Sequence, residues 1–270
     1  MDSYIKLVKG KRFVGSKPVT FSKRTYDPNS SYYITDKLDG ERKFLFFTSD
    51  HVYIVSQKLE FEETEFKSKA SLKNTILDTE FYKGKIYVFD ILFYQSKDVR
   101  NFKFPYRYSL YKHVVSNLKN PKIRVSDYQK LTCEDFKIHY RRTSNSKRYD
   151  GVIFRSDQNY YSSVLKWKPG KLLSIDFKIK KAKDNTFILL TQEGKKYTNK
   201  DYVSIGNVQV SKSDYEKYDD NSVVEFVFKK GKFVPLRARP DKQLSNHDRV
   251  IASNFEQIVN PVDVVGMVCL

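Results

Sequence analysis

The sequence predicts an α+β fold whose main component is antiparallel β-sheet. Most of the 270 residues fall into short runs rich in Tyr, Phe, Val and Ile that end at Gly, Asp, Asn or Ser, which is the pattern of β-strands. Few segments have helical spacing, and the strands follow one another without a regular helical crossover, as they do in antiparallel sheets. With 40% hydrophobic residues, the chain is too apolar to be disordered.

The strands and helices can be placed along the chain. Strands are predicted, in order, at YYITDKL, RKFLFFTS, HVYIVSQ, KIYVFDILF, GVIFRSD, SVLKWK, SIDFKIKKAK, TFILLTQ and SVVEFVFK. Apolar residues recur at helical spacing over residues 106–119, which predicts a helix there. A second helix is predicted in SNHDRVIASNFEQIV, with Ser245 or Asn246 as its N-cap.

A change in composition predicts two domains. Lysines crowd the segment after SIDF, namely Lys178, Lys180, Lys181 and Lys183. Beyond them, short strands with hairpin signals at QEGKK and KKGKF are typical of a small, partly open barrel of the OB type. We therefore expect a large domain over residues 1–178 and an OB domain over 179–246. The helix and tail over 247–270 either pack back on the first domain or lead into further chain.

The charge favours a polyanionic partner. Lys and Arg number 50 against 32 Asp and Glu, so the net charge is +18, which attracts nucleic acid, nucleotide phosphates or anionic membranes. No apolar run approaches the roughly 18 residues of a membrane helix, so we expect no membrane partner. Two cysteines are too few for a disulfide framework or a multi-thiolate zinc site, which fits a reducing, intracellular location, cytoplasmic rather than nuclear.

The segment YYITDKLDGERKFLFF has the residues of a nucleophilic site. One interpretation is a β-hairpin that turns at Asp39-Gly40. The other is a site in which Lys37 stands at a strand end and Arg42 lies just beyond. A lysine amine is a nucleophile only when it is unprotonated, a state that nearby cations and partial burial favour.

Further motifs follow Lys37 in a fixed order. They are LDTEFYKGKIYVFDIL, YDGVIF, LKWKP with SIDF behind it, and LRARPDKQLSN. Together with KLDGER they resemble the successive motifs of the covalent nucleotidyltransferases, the superfamily of mRNA capping enzymes and ATP-dependent ligases. The last two look most like those of mRNA guanylyltransferases. The resemblance implies an antiparallel-sheet nucleotidyltransferase domain followed by an OB-fold domain.

The resemblance also implies a reaction and roles for residues. In such enzymes the lysine that matches Lys37 attacks the α-phosphate of GTP, holds GMP, and passes it to the 5′-diphosphate end of RNA. Glu80 would bind the ribose, Phe89 would stack on the purine, and Lys166 and Lys168, alternating along one strand, would reach the α-phosphate. Nucleotide contacts are further implied for Asp39, Arg42, Arg237, Arg239, Asp241 and Lys242, the last four from an OB domain that closes on the β and γ phosphates.

Asp150, in YDGVIF, matches the acidic position that helps to bind a divalent metal, Mg²⁺ or Mn²⁺. Each assignment has a plainer alternative in the residues themselves. Asp150-Gly151 is also a turn signal, Phe89 a core strand residue, and the lysines of LKWKP an exposed strand face. The charges of LRARPDKQLSN are also typical of a solvated loop.

Three functions stay open, with the first favoured. They are an mRNA guanylyltransferase, an ATP-dependent polynucleotide ligase, and a non-catalytic basic RNA-binding module. Two departures from the family pattern bear on the choice: Thr79 replaces the glycine of the D-G-E motif, and Leu38 cannot donate a hydrogen bond to a base. For a guanylyltransferase we also expect an RNA triphosphatase and a cap methyltransferase, as separate proteins or as further domains.

Overall fold

The computed structural model describes residues 2–145, 148–192 and 202–269. The chain divides into two compact units. The first comprises Met1–Trp167 and Val264–Leu270, and the second comprises Lys168–Asp263. The boundary expected near residue 178 falls inside a strand, Ser174–Ala182, and the division comes instead between Trp167 and Lys168.

The first unit is a mixed α/β structure. Its strands are β1 (Val19–Thr20), β2 (Tyr32–Leu38), β3 (Glu41–Phe47), β4 (His51–Val55), β5 (Phe61–Lys67), β6 (Thr75–Tyr82), β7 (Lys85–Tyr94), β8 (Lys97–Asp98), β9 (Ile123–Val125), β10 (Gln129–Lys130), β11 (Tyr149–Ser156) and β12 (Val164–Trp167). Its helices are α1 (Asp2–Val8), α2 (Phe104–Leu118) and α3 (Cys133–Asn145), with a last helix, Val264–Val268, at the end of the chain.

Two sheets build this unit. One has five strands in the order β1-β12-β11-β2-β10, and the other has seven, in the order β5-β4-β3-β6-β7-β8 with β9 beside β7. Only the pairs β1–β12 and β7–β9 are parallel within the described residues, which agrees with the predicted antiparallel character. β2 and β3 belong to different sheets, so the hairpin interpretation of Asp39-Gly40 is wrong. This dipeptide is the corner at which the chain passes from one sheet to the other.

The helices differ from the sequence expectation in detail. α2 begins at Phe104 with Pro105 in its first turn, slightly before the predicted start. The pattern did not reveal α3, because its buried side chains are Phe136, His139 and Thr143, and two of these are polar. His139 reaches Asp36 on β2 at 2.5 Å, so this polar stripe holds the helix against the sheet.

The two cysteines form a disulfide. Cys133 lies at the start of α3, and its Cα is 4.8 Å from the Cα of Cys269, just past the Val264–Val268 helix. With only two cysteines, the sequence predicts no disulfide framework and a reducing compartment. The structure nevertheless contains one isolated disulfide bond. The bond links the end of the chain to α3, and both of its cysteines belong to the first unit.

The second unit contains an antiparallel sheet with two helices. Its strands are β13 (Ser174–Ala182), β14 (Thr186–Gln192), β15 (Tyr202–Gln209), β16 (Val223–Lys229) and β17 (Lys232–Ala238), and its helices are α4 (Lys212–Lys217) and α5 (Asp248–Val259). With α5 numbered, the Val264–Val268 helix is α6. The strand order is β15-β14-β13-β16-β17, and no pairing of β15 with β17 closes the sheet within the described residues.

The predicted turns of this unit have different outcomes. KKGKF forms the β16–β17 hairpin, where Lys230 and Gly231 have φ values of 49° and 78°, as a two-residue turn requires. QEGKK covers residues 192–196 and lies outside the described residues apart from Gln192. The N-cap of α5 is His247, whose ring accepts from the N–H of Arg249, and not Ser245 or Asn246. No helix in the described part of the chain is long and apolar enough to span a membrane.

An ion cluster lies in the core of the first unit. Asp90 and Arg107 are fully buried, and Arg155 is 3% exposed. Oδ1 of Asp90 lies 2.9 Å from Nε of Arg107, and its Oδ2 lies 2.9 Å from a terminal nitrogen of Arg155. One carboxylate therefore compensates two guanidinium groups that cannot reach water.

Asp90→Asn keeps the shape of the side chain but leaves both cations uncompensated. We expect the free energy of unfolding to fall by about 3–5 kcal/mol, because removing one partner of a buried pair strands a buried charge. Chemical denaturation measures it. Asp98→Asn is the control, since its partner Arg100 forms an ion pair whose carboxylate is 41% exposed, and it should cost less than about 1 kcal/mol. Equal losses in the two variants would contradict the cluster's importance.

Candidate active site

A cavity of about 650 Å³, counting space open to solvent, lies where the two sheets of the first unit face each other. This size is typical of small-molecule sites. Both sheets and the loops beside them supply its walls: Ser16, Pro18, Thr35, Asp36, Lys37, Leu38, Arg42, Glu80, Phe89, Ser126, Tyr128, Ile153, Arg155 and Val164. The residues predicted from KLDGER, DTEF and YVFDIL are thus brought together, with the exception of Asp39.

Lys37 meets Asp150 through an irregularity in the β2–β11 pairing. Tyr149 pairs with Leu38 and Gly151 with Lys37, so Asp150 is the extra residue of a β-bulge. Nζ of Lys37 lies 2.8 Å from Oδ1 of Asp150, and the two side chains are 20% and 13% exposed. Asp150 lies within a strand and not in the turn that its glycine neighbour suggested. The partner of the amine is a carboxylate, whereas the sequence predicted surrounding cations.

Arg42 lies in the cavity wall with its guanidinium engaged. Its Nε and a terminal nitrogen donate to the two carboxylate oxygens of buried Asp78 at 2.9 and 2.6 Å, and another donates to the carbonyl of Ser16 at 2.5 Å. The hydroxyl of Tyr160 donates to the same carboxylate. Burial by itself lowers the pKa of Arg42, but Asp78 more than offsets this and raises it. Arg42 is therefore permanently charged, and any contact with a nucleotide stays a prediction.

Glu80 is a carboxylic acid in the cavity wall whose pKa is raised. It pairs across the sheet with Arg42, and its Oε1 accepts from the N–H of Gly40 at 3.1 Å. A Cβ at Gly40 would lie 2.3 Å from the carbonyl oxygen of Phe81, so only glycine allows this corner to approach β6. Burial raises the pKa of Glu80 to about 7, against the opposing effects of Lys37 and the Gly40 hydrogen bond.

Phe89 and Lys166 have different positions relative to the cavity. Phe89 is half-buried, lines the cavity, and lies with its ring centroid 5.5 Å from Cζ of Arg42. Lys166 pairs with Ile153, which lines the cavity, so the two side chains share a face of the sheet. Lys168 lies beyond the end of β12 at Trp167, so the prediction that both lysines alternate along one strand is wrong.

Asp39 and the LRARPDK residues are placed outside this cavity. Asp39 is exposed at the corner between the sheets, where its N–H contacts the carbonyl of Arg148 at 3.4 Å. The basic residues of LRARPDK lie in the second unit and are paired there. Arg237 donates to Glu225 at 2.6 Å, Arg239 to Asp241 at 2.9 Å and to Asp176 at 3.2 Å, and Lys242 also contacts Asp176.

The sequence analysis did not single out several residues that form hydrogen bonds or ion pairs with the predicted site residues. Asp78, Asp176 and Glu225 are buried carboxylates, and each lies inside a strand directly after a buried apolar residue. An acid in the interior of a predicted strand is a usable signal, because a carboxylate is rarely buried without a cation. Ser16 and Tyr160, which contact Arg42, lie in segments without any comparable pattern.

The donor set limits what kind of metal site could form. In the described ranges no three His, Cys, Asp or Glu side chains come together as a metal-binding group. Asp150 and Glu80 do supply carboxylate oxygens at the cavity, which suits Mg²⁺ held by one or two carboxylates, water and substrate phosphates. A closed, all-protein metal centre does not fit these residues.

Glu80→Gln tests the electrostatics of the site. Because the folded state binds the proton of Glu80 more tightly than the unfolded state, stability from this group is complete below its ordinary pKa of 4.5 and is lost as the pH rises through about 7. Unfolding titrations from about pH 5 to 8 should therefore show Glu80→Gln gaining on the wild type as the pH rises. Glu65→Gln, at an exposed residue whose pKa Lys122 lowers, should not gain. Parallel curves for the wild type and Glu80→Gln would contradict this.

Comparisons with known proteins agree on one family. A family model described as the catalytic domain of mRNA capping enzyme matches residues 2–148. The mRNA-capping enzyme of African swine fever virus (isolate Warthog/Namibia/Wart80/1980) is 30% identical over 171 residues, which cover 58% of this chain and 20% of the viral protein. The mRNA-capping enzyme of Caenorhabditis elegans is 24% identical over 298 residues, which cover 93% and 47% of the two chains.

The fold is also found among solved structures. A mycobacterial DNA ligase D complexed with ATP and MES aligns with a TM-score of 0.51 at 12% identity, covering 84% of this chain and 95% of that one. This likeness supports the ligase-like nucleotidyltransferase fold. The chain spans a fifth to about half of the length of the capping enzymes it matches. Since the family model covers more than half of the chain, the protein belongs to the mRNA capping enzyme family, through its catalytic domain.

Proposed function

We propose that this chain is an mRNA guanylyltransferase that transfers GMP from GTP, through a lysyl-GMP intermediate on Lys37, to the 5′-diphosphate end of RNA. The observation that carries the proposal is the place of Lys37 in a nucleotide-sized cavity, with its amine 2.8 Å from the bulge carboxylate of Asp150. The family supports the same reaction.

The first step forms the intermediate. The ammonium of Lys37 passes a proton to a base, for which Asp150 Oδ1 is in hydrogen-bond reach, and the freed lone pair attacks the α-phosphorus of GTP. A P–N bond forms while the bond to the bridging oxygen of the β-phosphate breaks, and pyrophosphate leaves with that electron pair. The nitrogen gives up its second proton to the departing pyrophosphate or to water, so the adduct is a phosphoramidate with a neutral N–H. Partial burial of Lys37 keeps water away from the phosphoramidate.

The second step transfers the nucleotide. A terminal oxygen of the RNA diphosphate attacks the same phosphorus, the P–N bond breaks, and the nitrogen of Lys37 takes back two protons to become an ammonium again. Phe89 offers a ring for stacking on the purine, and Glu80 an acceptor for a ribose hydroxyl. Lys166 shares a sheet face with Ile153 of the cavity wall, which supports a role in neutralising the phosphate charge that grows in the transition state.

A divalent cation, Mg²⁺ or Mn²⁺, completes the proposal. It would be held by Asp150 together with phosphate oxygens and water, and when bound it would neutralise phosphate charge. In the free protein, Asp150 accepts a hydrogen bond from the amine of Lys37. With nucleotide and metal bound, its carboxylate would be shared between Lys37 and the cation.

Further parts of the proposal concern the second unit and the partners. Its five-stranded antiparallel sheet, with hairpin β16–β17 and helix α5, supports assignment to the OB type in an open form. Arg237, Arg239, Asp241 and Lys242 form one cluster there, which supports a phosphate-binding role for the set.

RNA triphosphatase and cap methyltransferase activities are the expected partners, because they prepare the RNA end and modify the cap.

Lys37→Ala should abolish the adduct. Incubation with Mg²⁺ and α-labelled GTP, followed by mass spectrometry, should show GMP attached to Lys37 in the wild type. The variant should carry no GMP, because alanine has no amine with which to form the P–N bond. Lys58→Ala, at an exposed lysine, is the matched control and should keep the adduct. An adduct that persists in Lys37→Ala would contradict the role. Label retained from ATP and not from GTP would instead support a polynucleotide ligase, and RNA binding without any adduct would support a binding module.

Asp150→Asn tests the base and the metal together. We expect adduct formation to slow by at least about 100-fold, because the neutral amide neither accepts the lysine proton nor attracts a divalent cation. Chelation with EDTA should stop the reaction of the wild type, and Mg²⁺ or Mn²⁺ should restore it. Undiminished adduct formation by Asp150→Asn at limiting Mg²⁺ would contradict both roles.

A further inference from the structure

A basic and aromatic surface lies beside the nucleotide cavity and has no role in the reaction described above. It is formed by the β6–β7 hairpin and its neighbours, and we call it the hairpin surface: Tyr82, Lys83, Lys85, Tyr87, Arg124 and Arg148. Most of these residues line an open pocket of about 780 Å³, counting space open to solvent. All of them belong to the first unit.

The sheet register makes this surface continuous with the cavity. Arg42, Glu80 and Tyr87 are directly opposite one another across β3, β6 and β7, so their side chains share one face. The same face continues to Arg124, which pairs with Tyr87 in the parallel β7–β9 ladder. These paired side chains therefore form a row that begins at the cavity wall and ends at the exposed guanidinium group of Arg124.

The alternation along each strand gives the same result. Cavity residues lie two positions away from hairpin-surface residues: Glu80 precedes Tyr82 on β6, and Phe89 follows Tyr87 on β7. Residues two apart on a strand point to the same side. The same face of the sheet therefore presents Glu80 and Phe89 inside the cavity, and tyrosine and lysine residues outside it.

Cations and aromatic rings are interleaved on this surface. Nζ of Lys83 lies 5.3 Å from the ring centroid of Tyr82. The guanidinium of Arg148 lies 5.1 Å from the ring centroids of both Tyr87 and Tyr149, and it donates to the hydroxyl of Tyr87 at 2.8 Å. Lys85 and Arg124 are exposed. Rings that stack on bases, set among cations that contact phosphates, are the pattern of single-strand nucleic-acid binding.

The hairpin surface also adjoins the nucleophile. The carbonyl of Arg148 faces the N–H of Asp39 at the corner that follows Lys37, and Tyr149 pairs with Leu38. An acceptor strand must bring its 5′ end to the phosphorus bound at Lys37, so its next nucleotides must leave the cavity along a wall. We propose that the hairpin surface binds the 5′-terminal nucleotides of the single-stranded RNA acceptor; this rests on the proposed function.

The test separates RNA binding from the chemistry of the first step. The charge variant is Lys83→Asn with Lys85→Gln, in which asparagine suits residue 83 because Lys83 has a φ of 46° in the two-residue turn. Lys58→Gln with Lys67→Gln is the matched control, since it removes the same charge from exposed positions elsewhere on the sheet. Each protein is assayed for adduct formation with GTP and for binding of a short single-stranded RNA ending in a 5′-diphosphate, over a range of salt concentrations.

We expect the charge variant to form the adduct like the wild type, which also reports that it is folded. Its Kd for the RNA should rise about ten-fold at low salt, and the slope of log K against log salt should become shallower by about 1.4, or about 0.7 for each RNA phosphate that a lysine no longer neutralises. Transfer of GMP to RNA should show a raised KM for RNA. An unchanged Kd, or an equal weakening in the control variant, would overturn the proposal.

Tyr82→Ala tests the stacking part independently. Removing the ring on which one base stacks should weaken RNA binding about ten-fold and leave the slope of log K against log salt unchanged. Tyr82→Phe should bind RNA like the wild type, because it keeps the ring. Loss of adduct formation in a folded Tyr82→Ala would assign the surface to the nucleotide and overturn the proposal. If the wild type binds RNA through this surface but forms no adduct, the proposed function fails while the RNA site stands.

Discussion

Compensation of buried cations by a small number of carboxylates is the constraint on which the rest of this structure depends. The chain has a net charge of +18, and its interior nevertheless contains Arg107 and Arg155 beside Asp90, and Arg42 beside Asp78. Desolvating a guanidinium group is costly unless a carboxylate is held against it with good geometry. Asp78 lies on β6 and Asp90 on β7, so two central strands of the larger sheet supply the carboxylates that compensate these three arginines.

The same constraint applies to the two clusters of candidate site residues. Lys37 is paired with Asp150 in the first unit, and the cations of LRARPDK are paired with Asp176 and Glu225 in the second. Paired cations hold a defined position before a substrate arrives, which reduces the cost of organising them for a phosphate. At Glu80, desolvation outweighs the nearby cations Lys37 and Arg42 and raises the pKa of the carboxyl group.

Register is the second level of organisation. A single extra residue in β11 turns Asp150 toward Lys37, and the corner at Gly40 lets β2 and β3 enter different sheets. Residues 35–38 at the end of β2 line one cavity together with Glu80 of β6 and Phe89 of β7. The face that includes Glu80 and Phe89 continues into the hairpin surface, so the proposed nucleotide site and the proposed RNA site lie on the same strands.

The sequence by itself predicted a fold built mainly of antiparallel sheet and indicated Lys37 as a candidate nucleophile among ordered motifs, because strand composition and local motifs are properties of neighbouring residues. It placed Glu80, Phe89 and Asp150 in one site through the resemblance alone. Only the tertiary structure decided that Asp39-Gly40 is a corner between sheets, that Asp150 sits in a bulge, and that Lys168 lies beyond the strand of Lys166. It also decided that Arg42 is held by Asp78 and Tyr160. These outcomes depend on pairing between residues far apart in the chain, and one shift of register would exchange the buried and exposed faces of every strand involved.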